Sequence, residues 1–468
     1  MEIVERPQQG IQKALSEYAP GRLIVINKET YRSGGVMANV LPTTHDRAAP
    51  LFADPQTLIH CDNCSYVRDI GDAAEVGAAC PICGEELQSN RMIVPEVFTP
   101  EDGRALDEDD RDQEITYATG AQFPVPVDGA DLMNLAAIGE RATFTVASDR
   151  RLVTTNKGQA VDDKYQGFWI CDKCGHASTE ERPAGVHQRP YFIEPSFLQP
   201  RAPFRCNGTF QNVFLGHVFS TDLLLLRIAV AQPLNTDTRN TIVLRALEDA
   251  LYSIAEAFRL SASRHPQLDL DASEFGAGFR IVPIQQGDEL HLDIYLFDTL
   301  SGGAGYSELA GRHLSEILTN SLALLENCPT NCDRSCESCL RHYHNQHLKN
   351  RLDRRLGAQL LRYGLFGTPP QEPAIATQIH ALSALKRLLE LDGFDCQTDT
   401  TVDGVSVPLL ISRGKQRIAV GIRSCFVESQ PHSLNRLEKS GIRVVILNDY
   451  VLRQNLPDEH QLIRNSFS

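Results

Sequence analysis

The first 240 residues contain short apolar runs that alternate with polar positions and are separated by Gly, Pro and polar turns. LIVIN (23–27), GGVMANVL (34–41), ATFTVAS and RLVTT are runs of this kind. Such a period-two pattern predicts β-strands. The acidic segment 101–114, with eight acids against two arginines, is predicted to be a solvated loop or linker.

The apolar spacing changes to that of a helix at residue 241. TIVLRALEDALYSIAEAFRLSA predicts a long amphipathic helix, and the strands FRIVPI and LHLDIYLFD and a second helix over 308–327 follow it. Beyond a Pro/Gly linker at 364–373, the order helix, three strands, helix, strand and helix predicts a small α/β domain over 374–468.

Composition excludes whole classes of protein. A hydrophobic content of 42% and a charged content of 22% are typical of a soluble globular protein. The amino terminus lacks the apolar core of a signal peptide. The longest apolar stretch, 223–231, is interrupted by Arg227 and is shorter than the roughly 20 residues of a membrane span. We therefore expect a cytoplasmic protein that does not contact a membrane.

The thirteen cysteines point to metal chemistry, because disulfides are rare in a reducing compartment. The first group has the spacing C-x2-C, fifteen residues, C-x2-C. Two such knuckles can bring four thiolates around one tetrahedral Zn²⁺, and a closed site of this kind is structural. A thiol redox pair is the alternative, although it needs only one pair. The ligands of this site 1 are Cys61, Cys64, Cys80 and Cys83.

A second group, site 2, has three cysteines and needs a fourth ligand. Cys171 and Cys174 form a knuckle, and Cys206 follows later in the chain. His187 lies between them and is the predicted fourth ligand, with His176 as the alternative; a Cys₃His set is known for structural zinc. The competing interpretation is a decayed ribbon whose thiols only pack in a core.

The third group, site 3, has four cysteines within twelve residues: Cys328, Cys332, Cys336 and Cys339. Turn-forming residues between them let such close ligands wrap one ion. Zinc is the first choice, and an iron–sulfur cluster is the alternative because four thiolates also hold [4Fe–4S]. The chain is thus expected to bind two or three zinc ions.

A basic run, 341–355, is joined directly to site 3 and has five Arg or Lys against one Asp. The net charge of −15 argues against bulk attraction to nucleic acid, so any contact must use a local patch of this kind. A helix here would place Leu348, Leu352 and Leu356 on one side and the cations toward solvent. A solvated helix face without a ligand is the alternative. The predicted nucleic-acid residues are Arg341, His344, Lys349, Arg351, Arg354 and Arg355.

LFDTLSGGAGYS (296–307), the four cysteines of site 3 and the following CLRHYHNQHLKNRLDRRLGAQLL carry a family resemblance. Together they resemble the carboxy-terminal region of superfamily 2 helicases with the MrfA-type zinc-binding (MZB) domain. That domain also occurs in DrmB, a subunit of the DISARM antiphage system. The resemblance extends over about residues 10–365. It implies a zinc-binding, helicase-associated protein that acts on DNA.

Two departures from that family bear on catalysis. The chain contains neither a G-x-x-x-x-G-K-[ST] loop nor a DExH-like segment, so no ATPase motor is predicted. SGGAGYS lacks the phosphate-binding lysine; its glycines are interpreted as tight strand–helix packing, with a phosphate site as the alternative, and Asp298 as a helix cap.

The last domain resembles the restriction-endonuclease-like, PD-(D/E)xK, fold in its order of elements. The triplet that corresponds to the catalytic one is Gly421-Ile422-Arg423, and the proline-acid position corresponds to Pro408-Leu409. Without carboxylates a hard cation has no ligands. The resemblance therefore implies a domain that has lost cleavage and retains a docking role.

The sequence as a whole predicts a multidomain α+β protein. Its parts are a β-rich domain over 1–155 with a zinc ribbon at about 58–88, a mixed α/β zinc-binding domain over 156–366, and the domain over 374–468. The predicted function is that of a non-catalytic, zinc- and DNA-binding partner of a separately encoded superfamily 2 helicase, in DISARM-like defence. The alternatives are the carboxy-terminal half of a split repair helicase, a structural adaptor that does not bind nucleic acid, and a nuclease.

Overall fold

The computed structural model describes most of the chain, namely residues 8–39, 45–68, 77–107, 112–125, 134–162, 164–191, 204–283, 289–427 and 432–467, the side chains of Pro283 and His344 excepted. The predicted acidic segment 101–114 and the predicted strands 34–41 and 279–284 therefore lie partly outside the described residues. The protein is a multidomain α+β protein, as the sequence predicts.

The α-helices are α1 (Ile11–Glu17), α2 (Ala49–Ala53), α3 (Thr241–Ser263), α4 (Tyr306–Arg312), α5 (Leu314–Glu326), α6 (Arg354–Phe366), α7 (Ile375–Leu391), α8 (Asp449–Gln454) and α9 (Leu456–Asn465). Short 3-10 helices cover Ala272–Glu274, Tyr343–Leu348, Cys425–Val427 and Ser433–Ser440.

The strands of the first half are β1 (Leu23–Ile26), β2 (Glu29–Met37), β3 (Gln56–His60), β4 (Gln88–Ile93), β5 (Val97–Pro100), β6 (Ala136–Ala137), β7 (Ala142–Asn156), β8 (Ala160–Val161), β9 (Lys164–Tyr165), β10 (Phe168–Cys171), β11 (Ala177–Ser178), β12 (His187–Gln188), β13 (Arg205–Cys206) and β14 (Phe210–Val230). Those that follow are β15 (Phe275–Pro283), β16 (Leu290–Asp298), β17 (Asp395–Val402), β18 (Val405–Arg413), β19 (Gln416–Arg423) and β20 (Arg443–Asn448).

One long strand, β14, organises most of the molecule. It pairs with β7, β10 and β16 in antiparallel register and with β4 in parallel. These strands belong to a nine-stranded sheet in the described part of the chain. The two runs ATFTVAS and RLVTT are a single strand, β7. Because β7 ends at Asn156 and pairs along β14, the predicted division at 155 does not separate two sheets.

Helix α3 is buried over most of its length, and its buried residues include the charged side chains of Glu248, Asp249 and Arg259. The side chain of Asn240 caps it by accepting hydrogen bonds from the amides of Ile242 and Val243. Helices α5 and α6 pack against α3 on one side, and β15 and β16 on the other. The predicted long helix is confirmed. The predicted helix 308–327 is wrong in one respect, since it is two helices that meet at His313.

A buried ionic group lies inside the nine-stranded sheet. The guanidinium of Arg227 donates two hydrogen bonds to the Asp293 carboxylate, at 2.6 and 2.8 Å, and Arg280 donates a third at 2.9 Å. These bonds hold the pKa of Asp293 below its usual value although burial acts in the opposite direction. The buried guanidinium of Arg227 on β14 thus has its hydrogen-bond acceptor, Asp293, within the same sheet.

The carboxy-terminal domain has its own four-stranded sheet, in the order β17-β18-β19-β20, and its own apolar core. Leu382, Leu385 and Leu389 of α7 recur at helical spacing and pack in this core, against strands β18 and β19. The predicted order of elements is confirmed, with two adjustments. Residues 433–440 form a 3-10 helix, and the last helix is interrupted before Pro457. The nuclease-like resemblance itself stays a prediction.

We predict that Asp293→Ala lowers the free energy of unfolding by about 3–5 kcal/mol, because it leaves two buried arginines without their acceptor. Urea unfolding followed by the fluorescence of the single tryptophan, Trp169, measures this. Glu308→Ala is the matched control, since it removes an exposed helix ion pair with Arg312 and should cost less than about 1 kcal/mol. Equal losses in both variants would contradict the prediction.

Candidate metal centres

At site 1 the four predicted ligands meet. The sulfurs of Cys61 and Cys83 are 3.5 Å apart, and those of Cys64 and Cys80 are 3.7 Å apart. Four sulfurs bound to one Zn²⁺ at about 2.3 Å are roughly 3.8 Å apart in a tetrahedron. All four sulfurs lie within 4.8 Å of one another. The donor set therefore fits a closed zinc site.

The local backbone explains this arrangement. Strand β3 ends at His60, one residue before the first ligand, and the amide of Gly84 donates to the carbonyl of Cys80 at 2.9 Å. Gly84 has a φ of +84°, which side chains other than glycine rarely adopt. Hydrogen bonding from the neighbouring Cys64 and Cys80 thiols lowers the pKa of Cys61, although burial acts in the opposite direction.

At site 2 the structure brings together Cys171, Cys174, Cys206 and His187. His187 and Cys206 are opposite each other in the β12–β13 pair, so two distant segments deliver neighbouring ligands. His187 Nε2 lies 3.3 Å from the sulfur of Cys174, and Nδ1 lies 3.0 Å from the carbonyl of Gly185. If Nδ1 donates to that carbonyl, Nε2 is left free for a metal. His176 lies outside this group of four.

At site 3 the sulfur of Cys336 is 3.5 Å from that of Cys328, and the sulfur of Cys339 is 3.7 Å from that of Cys332. Thr330 Oγ1 lies 3.2 Å from the sulfur of Cys328. An iron–sulfur cluster inserts several metal and sulfide atoms between its cysteines. The short distances between these sulfurs therefore favour a single ion such as zinc.

A fourth group with metal-ligating side chains has a different explanation. His265, His313 and Glu316 bring their donor atoms together. The amide of Gln267 donates to Nδ1 of His265, which leaves the ring proton on Nε2, 3.2 Å from the Glu316 carboxylate. A neutral histidine in this tautomer has no lone pair on Nε2 for a metal. The group is a hydrogen-bonded pair beside a second imidazole.

The predicted continuous helix over 341–355 is wrong. A 3-10 helix covers Tyr343–Leu348, a turn follows, and α6 begins only at Arg354. Two features of the chain cause the break: the Asn345 side chain bonds back to the amide of His342 and the carbonyl of Leu340, and Asp353 caps α6. Because no continuous helix covers 341–355, helical periodicity does not identify which of its side chains face solvent.

Most predicted nucleic-acid residues already have partners within the protein. Arg354 is buried and donates to the carbonyls of Leu325 and Glu326, the last residues of α5. A cation at this end also complements the helix dipole. Arg354 also donates to the carbonyl of Cys332 at 2.9 Å. It thus fastens α5 to the loop of site 3.

The other predicted cations differ in their surroundings. Arg341 donates to Ser335 at 2.9 Å, and Arg355 pairs with Asp333 at 3.0 Å. Lys349 is exposed to solvent. The side chain of His344 lies outside the described residues. The expectation that these cations face solvent as a set is wrong, because acids and carbonyls of the fold surround several of them.

Two buried carboxylates join site 3 to the carboxy-terminal domain. Asp249 of α3 accepts hydrogen bonds from Arg351 (2.6 Å), Tyr450 (3.0 Å) and Arg334 (3.4 Å). Burial raises the pKa of Asp249, although Arg351 beside it acts in the opposite direction. Asp353 accepts from Arg453 of α8 at 3.0 Å.

Arg334 lies in sequence between two ligands of site 3, and its guanidinium reaches both Asp249 and Asp353. Its guanidinium also donates to Gln454 of α8 at 3.0 Å and to the carbonyl of Asn350 at 2.6 Å. Sequence reasoning missed Arg334, Asp249 and Asp353 as a group. The single acid within the basic run was the one available signal, since Asp353 is the only Asp or Glu there.

The loop SGGAGYS is fully engaged by one side chain. The carboxylate of Asp298 accepts from the amides of Ala304 (2.6 Å), Tyr306 (3.0 Å) and Ser307 (2.8 Å) and from the Ser307 hydroxyl. The predicted cap is confirmed. Because a carboxylate already takes these amides, they favour the interpretation of strand–helix packing over that of a phosphate site.

At the nuclease-like position of the last domain, Gly421 lies against the ring of His432. A Cβ on Gly421 would lie 2.6 Å from the ring of His432, which packs against this glycine. His432 Nε2 lies 3.2 Å from the carbonyl of Ile422. Among residues 374–467 that the structure describes, no group of three metal-ligating side chains comes together.

The segment that contains SGGAGYS and the cysteines of site 3 matches a known protein family. Residues 264–340 match the model of the MrfA Zn-binding domain, MZB. This chain contains an MZB domain. The match lies within the predicted 156–366 and is narrower. In the described residues, no helix is both long enough and apolar enough to cross a membrane.

The MZB chain is homologous to the Druantia protein DruE of Escherichia coli (strain UMEA 4076-1). The two are 50% identical over 466 residues, which is 98% of this chain and 25% of DruE. The chain thus spans about a quarter of the length of that relative. The comparison names Druantia; DISARM and DrmB stay untested predictions.

Two crystal structures of the DUF1998 helicase MrfA, bound to DNA and bound to DNA and AMPPNP, are also similar to the MZB chain. Their TM-scores are 0.32 and 0.25 and their identities 13% and 12%, over 75% of this chain and 30% and 28% of theirs. At these TM-scores the likeness supports no functional argument.

We predict three zinc ions per chain, one for each cysteine group. Cys206→Ala should reduce the count to two, because site 2 then has three ligands and an open position. Metal analysis of protein purified without an affinity tag measures the count. The control is Cys396→Ser, since Cys396 belongs to none of the groups. An unchanged count in Cys206→Ala, or iron in place of zinc at site 3, would contradict the prediction.

We also predict that Arg453→Ala loosens the carboxy-terminal domain while the zinc count stays unchanged. The substitution leaves buried Asp353 without its α8 partner, which typically costs about 3–5 kcal/mol. Limited proteolysis should then cut the linker 367–374 faster. Arg464→Ala is the control, because Arg464 pairs with Asp392 inside the same domain. Equal cleavage rates in wild type and Arg453→Ala would refute this.

Proposed function

We propose that residues 1–468 form a non-catalytic, zinc-stabilised and DNA-binding unit of an antiphage defence system, which works with a superfamily 2 helicase motor outside these residues. The observation that carries this proposal is the homology to the Druantia protein DruE over 98% of the chain. The MZB domain supports the association with a helicase.

The geometry supports a scaffold rather than a catalyst. Each of the three cysteine groups offers four protein ligands, so a bound zinc ion would keep no open position for substrate. The loop of site 3 is surrounded by α3, α6 and α8 through Arg334. A metal held there would fix the relative positions of these helices.

A second candidate differs in how the motor is attached. The chain aligns with only a quarter of DruE, so the relative carries much further sequence. A motor joined in one polypeptide is therefore an alternative to a motor in a separate chain. Purification of the protein from its native host separates the two: a co-purifying ATPase of its own gene supports the partner, and one long polypeptide supports the joined motor.

DNA binding is tested by the salt dependence of affinity. We expect the affinity for DNA to fall with rising salt, and Lys349→Glu to weaken binding and to reduce the salt slope by about one or two, because an exposed cation becomes an acid. Fluorescence anisotropy measures both. Lys439→Glu is the control, an equal charge change on the last domain. No binding to any DNA would favour the purely structural adaptor.

A further inference from the structure

Two aromatic rings from distant parts of the chain stack on the outside of the molecule. The rings of Tyr117 and His347 have centroids 5.2 Å apart and planes at 19°. The guanidinium carbon of Arg22 lies 5.8 Å from the centre of the Tyr117 ring. Three separate segments therefore contribute to one flat, partly cationic surface.

This stack is not a part of the core. Tyr117 is 51% exposed, while its neighbour Thr116 is buried, so the segment directs its aromatic side chain outward. His347 is also exposed. Large aromatic side chains normally bury most of their area, and an exposed aromatic group is typical of a binding surface.

The 3-10 helix that carries His347 adds further groups of the same kind. Tyr343 is 78% exposed, and Lys349 lies just beyond the helix in solvent. By contrast, Arg351 and Arg354 of the same run are occupied by acids and carbonyls. The exposed part of the 341–355 run therefore consists more of aromatic side chains than of cations.

We propose that this stacking surface, formed by Arg22, Tyr117 and His347, binds single-stranded DNA through its bases. The proposal rests on the DNA-binding role above and specifies its site and its ligand. Bases of a single strand expose flat faces that stack on aromatic side chains, whereas those of a duplex are already stacked. Arg22 beside the stack supplies a cation for a phosphate between such bases.

The test compares two substitutions in the full chain. The probe is a fluorescent oligo-dT of about 20 nucleotides, longer than the ~4–16 nucleotides that comparable surfaces cover. Tyr117→Ala and His347→Ala should each weaken binding at least about fivefold, the lower range for loss of one base-stacking contact. Tyr117→Phe keeps the ring and should bind like wild type. Tyr191→Ala, a half-exposed tyrosine beside Gly103, is the matched control.

A second readout does not depend on affinity. Oligo-dT that contains 5-iodouracil should crosslink, under ultraviolet light, to the peptides that contain Tyr117 or His347. Unfolding temperatures equal to that of wild type ensure that a loss of binding in Tyr117→Ala does not reflect unfolding. Crosslinks confined to other peptides would overturn the proposal.

The outcomes separate this proposal from the broader one. Oligo-dT binding that is insensitive to both alanine variants, or tight binding to a duplex alone, overturns the stacking surface and leaves DNA binding in place. No binding to either DNA overturns both. Tighter binding of an oligo-U by more than about tenfold, lost in Tyr117→Ala, supports the surface and contradicts DNA as its ligand.

Discussion

The contact between two buried carboxylates and the cations around them determines how the parts of this molecule are joined. Asp249 lies in the middle of the long helix α3, and Asp353 caps helix α6. Arg334 comes from the loop of site 3, and Arg453 and Tyr450 come from the carboxy-terminal domain. Because a buried charge is costly unless it is paired, each of these parts needs the others in place.

This constraint connects the cysteine groups to function. The loop of site 3 consists mainly of turns and bends. A metal at the four sulfurs would fix that loop, and with it the direction in which Arg334 points toward Asp249 and Gln454. The basic run that follows serves largely the same end, since Arg351 and Arg354 bind acids and carbonyls of the fold. Tyr343 and His347 of the run are exposed at the surface.

Local patterns were sufficient for much of this. Cysteine spacing predicted the groups at sites 1 and 3, because ligands close in sequence can meet through short turns. The position of His187 between the cysteines in sequence predicts it as the fourth ligand of site 2. The β12–β13 pairing shows how His187 comes to lie beside Cys206. Apolar periodicity gave α3 and the order of elements in the last domain, since each element buries its own apolar side.

The surroundings of several side chains could not be predicted because they depend on contacts between residues far apart in sequence. Solvent exposure of 341–355 depends on Glu248 and Asp249, about a hundred residues earlier, and helix periodicity carries no information about them. Strand β7, at the predicted division at 155, likewise pairs with β14, some seventy residues later. The stack of Tyr117 on His347 was likewise invisible, because no local pattern links those two positions.

Hydrogen exchange of the native and the zinc-stripped protein tests the central claim most directly. If metal at site 3 and the paired carboxylates hold the carboxy-terminal domain in place, removal of zinc should accelerate exchange in residues 424–427 and 449–454, which contact α3 and α6. Strands β18 and β19, in the domain's own core, should exchange as before. Loss of all zinc without faster exchange in those two segments would contradict the account.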